Sequence, residues 1–144
     1  MSVPLSPWPY PRLCAHRGAG TLAPENTLTA MRVGHAHGYR MVEFDVKLAA
    51  DNVGFLLHDA TLERTTSGRG RADALLWREL SRLDAGGWHS AKYAGEMLPT
   101  FQALADQLAI AIENARLFEQ AEQNLHDLRE LSRETAQRSW AEFL

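Results

Sequence analysis

The spacing of apolar positions divides the chain into short mixed segments up to residue 100 and one continuous stripe beyond it. The opening stretch MSVPLSPWPYPR is interrupted by four prolines. Proline fixes φ and donates no hydrogen bond, which predicts an extended arm over 1–12. Leu13-Cys14-Ala15-His16 reads as a short buried strand, with Cys14 a small buried residue within it, ending in the turn Arg17-Gly18-Ala19-Gly20. A helix can start at Pro24; Leu28 and Met31 share one of its faces, and Gly38 can supply its C-terminal cap. Met41 to Leu48 alternates strictly, with Val42, Phe44 and Val46 facing one way and Glu43, Asp45 and Lys47 the other. Val53 to His58 forms a third predicted strand, 61–71 a loop, and Leu76, Leu80 and Leu83 mark a short amphipathic helix. Strand, helix, strand, strand is an α/β order, so 13–100 is expected to be one α/β segment.

From residue 101 to 144 there is neither glycine nor proline. Leu104, Leu108, Ala111, Ala115 and Phe118 follow a 4-3-4-3 spacing, and Ala121, Leu125, Leu128 and Leu131 carry the stripe on in an irregular register. This predicts a long helix, begun at an N-cap on Thr100 and about 60 Å in length. Such a helix outruns a small α/β layer and is expected to pack against another copy as a coiled coil, giving a homo-oligomer and most simply a symmetric dimer. The alternative is a helical hairpin folded back over the sheet.

Composition narrows the partners. The 144 residues carry 15 Lys+Arg against 18 Asp+Glu, a formal net charge of −3, with 45% hydrophobic residues. That balance suits a soluble globular protein and argues against nucleic acid as a partner. The longest apolar run, Leu108 to Ile112, is far too short for a membrane span. No basic stretch precedes a long apolar core near the N-terminus, so no signal peptide is expected. Cys14 is the single cysteine, which excludes an intrachain disulfide framework and points to a reducing, cytoplasmic setting.

The candidate chemistry lies at predicted strand ends. His16 and His58 each close a strand, and two imidazoles can divide general acid and general base work near neutral pH. Glu43 and Asp45, two apart on one strand, present hard oxygens to the same side, a pairing suited to Mg²⁺ or Ca²⁺. Arg17 and the small residues after it can hold a phosphate by charge and by backbone N–H groups. Metal-assisted phosphodiester cleavage is the chemistry these groups could share. Each also has a plainer reading: structural histidines, a solvated strand face, a simple turn. Arg64, Arg69 and Arg71 can grip an anion or belong to a solvated loop. His35 and His37, two apart on a helix, do not share a face.

The runs AHRGAGTLAPENTLTA, VEFDVKLAADN, LLHDATLERTTSGRG and LSRLDAGGWHSAKYAGEMLPTF resemble, in order and spacing, the N-terminal part of glycerophosphodiester phosphodiesterases over residues 10–101. The resemblance implies a TIM barrel and divalent-cation-dependent hydrolysis of glycerophosphodiesters to glycerol 3-phosphate and an alcohol. It implies that His16 and His58 match the family's general acid/base pair, Arg17 a phosphate contact, and Glu43 and Asp45 two of the metal ligands. The family's third carboxylate ligand, in a motif resembling Glu-x-Lys on the next strand, has no counterpart after Pro99-Thr100. About three of eight strands are expected here, a partial barrel fragment followed by a long helix.

The stretch LADQLAIAIENARLFEQAEQNL resembles the last helix of a GAF sensory domain and its coiled coil. Two family likenesses meeting at residue 101 suggest a chimera. Two functions follow as expectations: a glycerophosphodiester phosphodiesterase-like hydrolase, or a non-catalytic chimeric scaffold that self-associates through its helix and unpaired sheet edges.

Overall fold

A computed structural model describes residues 9–141, with side chains through residue 135. The part of the proline-rich arm over 1–8 therefore lies outside the described residues, as do residues 142–144. The chain divides into two compact units, Met1–Leu104 and Ala105–Leu144.

The first unit is built on one hairpin. Strands β1 (Val46–Leu48) and β2 (Gly54–Leu56) pair antiparallel, with Val46 opposite Leu56 and Leu48 opposite Gly54. Asn52, at φ 63°, lets the chain reverse between them, a left-handed conformation that asparagine tolerates. β2 is the centre of the packing: Phe55, Leu56 and Leu57 are all at most 2% exposed, so both faces of the strand are covered. On one face Phe55 and Leu57 pack with Leu62, Leu80 and Leu98; on the other Leu56 meets Met31 and Leu104. The extended segment before residue 101 lies beside β2, with Phe55 bridged to Thr100 and the Leu56 amide donating to the Pro99 carbonyl at 3.0 Å.

Helix α1 (Leu28–Ala36) starts later than Pro24. Its N-cap is Thr27, whose hydroxyl accepts from the Ala30 amide at 3.1 Å and donates to the Pro24 carbonyl at 2.8 Å. At the other end Gly38, at φ 85°, donates to His35 O while Tyr39 donates to Gly34 O. These two bonds form the Schellman ending that the glycine's position predicts. A single turn, α2 (Trp77–Leu80), covers Phe55, its Trp77 ring 6.0 Å from the phenylalanine.

Three expectations are corrected. First, Leu13 to His16 is not a buried strand: Leu13 is 72% exposed and Cys14 is exposed. Pairing there is limited to one parallel bridge, Ala15 with Val42, because no described element covers the outer residues. Second, the sheet among the described residues has two strands rather than three, and they run antiparallel. Third, the alternation of 41–48 does not carry through: Val42 and Phe44 pack against the Met31–Leu56–Leu104 cluster, whereas Val46 and Leu48 are exposed. Cover from α1 and from the first residues of the last helix, where Phe44 meets Phe101 with ring centroids 6.1 Å apart, extends only that far.

That last helix, α3 (Phe101–Ala141), is continuous over 41 residues, so it is not a helical hairpin. Thr100 caps its start, its hydroxyl accepting from the Ala103 amide at 2.9 Å. In the second unit, Ile110, Ile112, Leu117, Phe118, Leu125, Leu128 and Leu131 are each at least half exposed. No described helix is long and apolar enough to cross a membrane.

Candidate functional site

Backbone pairing sets the candidate residues side by side. The Ala15–Val42 bridge is fixed by the Ala15 amide donating to Met41 O at 2.9 Å and the Glu43 amide donating to Ala15 O at 3.0 Å. That places His16 next to Glu43, with His16 Nε2 3.9 Å from Glu43 Oε2. Two residues on, Asp45 O accepts from the Leu57 amide at 3.1 Å, which brings His58 alongside the same segment. His16 follows Ala15 into a tight turn in which Arg17 adopts φ 51°, ψ 30°. A left-handed non-glycine residue carries a cost, here offset by its contacts: its amide donates to Glu43 Oε2 at 3.0 Å and its carbonyl accepts from the Asn26 amide at 3.0 Å.

α1 presses on this turn. A Cβ added at Gly34 would lie 2.0 Å from Gly18 O, and one at Gly18 would lie 2.8 Å from the Ala30 Cβ. The glycines are therefore what permits the helix to seat against the turn bearing His16 and Arg17.

The charged side chains form one connected network. Arg17 Nη1 donates to Glu25 Oε1 at 2.9 Å, and Arg17 Nε lies 3.6 Å from Asp45 Oδ2. Asn26 clamps Asp45 twice, its Nδ2 donating to Oδ2 at 2.9 Å and its Oδ1 accepting from the Asp45 amide at 3.0 Å. Arg64 donates to both Glu25 and Asp59, and Asp59 Oδ1 accepts from His58 Nδ1 at 2.7 Å. His16 and His58 thus stand at the two ends of a chain of contacts that runs through Glu43, Arg17, Glu25, Arg64 and Asp59. Arg64, followed by the His58 imidazole, holds the Asp59 carboxyl well below the usual carboxylate range. Burial works against ionisation of Glu25, yet hydrogen bonds and charge from Arg64 and Arg17 outweigh it and hold that carboxyl low as well.

All five candidates from the sequence, His16, Arg17, Glu43, Asp45 and His58, belong to this assembly. Glu25, Asn26 and Asp59 join it without being singled out by the sequence pattern. Arg64, a candidate anion grip on sequence grounds, instead directs its charge to two carboxylates. Arg71 pairs with Asp73. The signal that could find Asn26 and Asp59 is their place, one directly before the α1 cap and the other directly after His58.

Glu43 and Asp45 offer hard oxygens to a cation. Oε1 of Glu43 and Oδ1 of Asp45 accept from no described donor, while their other oxygens are engaged. Among the described residues no set of three His, Cys, Asp or Glu side chains gathers to enclose a metal ion. Two carboxylates on one extended segment are hard oxygen donors of the kind that suit a divalent cation.

The glycerophosphoryl diester phosphodiesterase family matches residues 16–141. Bacillus subtilis YhdW is 39% identical over 92 residues, covering 64% of this chain and 38% of its own length. A crystal structure of glycerophosphodiester phosphodiesterase from Agrobacterium tumefaciens superposes with a TM-score of 0.65 at 40% identity, over 66% of this chain and 41% of that one. An Oleispira antarctica phosphodiesterase, solved in complex with the product sn-glycerol-3-phosphate, gives 0.62 at 41% identity, over 63% and 37%. The chain thus spans about two fifths of the length of these relatives. With the matched segment embracing both histidines and both carboxylates, the chain belongs to the glycerophosphoryl diester phosphodiesterase family.

Proposed function

We propose that the assembly of His16, Arg17, Glu43, Asp45 and His58 is a phosphodiester hydrolysis site for glycerophosphodiesters. In the net reaction water adds to phosphorus, the P–O bond to the alcohol breaks, and sn-glycerol 3-phosphate and the alcohol leave. The observation that carries the reading is the connected network ending in two imidazoles, because hydrolysis needs one group to take a proton from water and another to return one to the leaving alkoxide. His58 suits the role of proton acceptor, because its Nδ1–H donates to Asp59 and leaves Nε2 as the ring nitrogen open to water. His16, 67% exposed at its side chain and beside Glu43, suits the role of proton donor. Arg17 steadies the two carboxylate-bearing segments and adds positive charge beside the phosphate. Glu43 and Asp45 would hold a hydrated divalent cation, Mg²⁺ or Ca²⁺. Such an ion, when bound, neutralises charge on the phosphate oxygens.

The test is turnover of glycerophosphocholine by the whole chain with added Mg²⁺ or Ca²⁺. Replacing His16 or His58 by alanine should lower kcat about 10²- to 10⁴-fold. Turnover unchanged in both variants, or none in well-folded wild-type protein, would overturn the reading.

A second reading rests on a different observation, the exposed apolar residues of the second unit. It is a self-associating scaffold in which α3 pairs with another copy, as a GAF-like signalling helix would. The family match runs on past Thr100 to residue 141, so the comparisons lend no support to a junction at residue 101. Analytical ultracentrifugation decides it: a concentration-independent monomer would rule this reading out.

A further inference from the structure

We propose that Arg64 is a positioning residue that fixes the His58 ring in a single orientation and tautomer by gripping Glu25 and Asp59 together. The inference rests on the hydrolytic reading for its significance, but its geometry stands apart from the metal ligands. Arg64 Nε donates to Asp59 Oδ2 at 2.6 Å and Nη2 to Asp59 Oδ1 at 2.9 Å, a two-toothed grip on one carboxylate. Nη1 and Nη2 make a second such grip on Glu25, at 3.0 Å and 2.7 Å. All three nitrogens of one guanidinium are thus committed, in the planar fork geometry that lysine cannot reproduce.

The consequence passes along the chain of contacts to His58. A carboxylate that is free to rotate can offer either oxygen to its neighbour, or neither. Asp59 cannot, because both of its oxygens are held by Arg64, and Oδ1 also accepts from His58 Nδ1 at 2.7 Å. Arg64 is in turn anchored across 39 residues of sequence to Glu25, the least exposed carboxylate of the network, with a side chain 12% exposed. Glu25 also receives Arg17. The loop after β2 is therefore tied to the segment preceding α1, and the ring at its head keeps Nδ1 protonated and Nε2 open. The tautomer of His58 should then follow the state of the Asp59 carboxylate.

The experiment uses ¹⁵N-labelled full-length chain and long-range ¹H–¹⁵N spectra of the histidine rings, with His58→Gln assigning the His58 signals. Wild type should show His58 as the Nδ1–H tautomer. Arg64→Gln should move it toward the Nε2–H form that predominates in water, Arg64→Lys should restore it only in part, and Asp59→Asn should match Arg64→Gln. In turnover, Arg64→Gln should lower kcat by less than the roughly 10²- to 10⁴-fold expected for loss of the base itself, with KM within about twofold. A loss of thermal stability with the His58 tautomer unmoved would mean that Arg64 only ties two loops together, and would overturn the proposal. The catalytic reading fails separately: if His58→Gln keeps full turnover, His58 is not a catalytic residue, and the spectra still report whether Arg64 fixes the ring.

Discussion

The two units of this chain use apolar residues in opposite ways. In Met1–Leu104, Phe55, Leu56, Leu62 and Leu80 are wholly covered, and the short hairpin with its flanking loops holds a network of paired charges in place. In Ala105–Leu144, leucines, isoleucines and a phenylalanine are exposed along a single helix. Burial on both faces of β2 constrains every adjacent backbone segment, and that constraint is what a site made of paired charges requires. A helix pairs most of its backbone hydrogen bonds within itself, so the exposed side chains of α3 are not needed to complete its backbone. The contrast separates a part built to position groups from a part whose apolar side chains are left exposed.

The most direct way to break the comparison is the same substitution on each side of it. Phe55→Ala removes a fully buried ring from the centre of the first unit and should cost about 3–5 kcal/mol, read from urea unfolding followed by circular dichroism. A loss below about 1 kcal/mol would mean that β2 is not the anchor of the fold. Next in size is Gly34→Ala, which sets a methyl carbon 2.0 Å from a backbone oxygen of the turn bearing Arg17 and Gly18. Displacing α1 should cost about 3 kcal/mol and disperse the His16 side of the site. An unchanged midpoint would show that the turn yields without cost.

Much of this is legible in the sequence because it depends on local chemistry. Thr100 as an N-cap, Gly38 as a helix ending, and the unbroken helix after residue 100 follow from rules that act over one or two turns. The pair Glu43 and Asp45 is readable from spacing, since alternate residues of an extended segment share a side. Spacing misleads where cover decides the outcome. Val46 continues the alternation of Val42 and Phe44, yet it is 48% exposed because the elements that bury the first two do not reach it. Leu13 and Cys14 look like a core strand and are exposed for the same reason. Glu25 and Arg64 are illegible as partners because 39 residues separate them and no periodicity links the two.

A smaller effect distinguishes polar from apolar support within the first unit. Asp84 accepts from the amides of Gly86, Gly87 and Gly95, at 2.7, 2.7 and 2.8 Å, and so closes the loop over 84–96. These backbone donors, Gly87 foremost, hold its carboxyl below the ordinary value of 3.8. The folded state therefore binds a proton less readily than the unfolded chain. Its contribution is complete above about pH 4 and fades as pH falls through the lower folded-state value. Asp84→Asn should cost about 1–2 kcal/mol at neutral pH and flatten the acid limb of the stability profile. Equal acid sensitivity in variant and wild type would assign that limb to other carboxylates, with Glu25 and Asp59 the foremost because both are also held low.

The smallest change in stability should come from the counterpart of the first substitution. Phe118 is 70% exposed on α3, so Phe118→Ala removes a ring that is mostly open to solvent. Exchanging an aromatic residue for the best helix former should leave the unfolding of the first unit within about 0.5 kcal/mol of wild type. On the self-association reading, its effect falls on association instead. Phe118 ends the 4-3-4-3 run from Leu104, where a second helix would seat its own side chains, so sedimentation at rising concentration should show weaker self-association in the variant. If Phe118→Ala destabilises the first unit as strongly as Phe55→Ala does, the division between a positioning unit and an associating helix is wrong, and α3 beyond Leu104 supports the same core as β2.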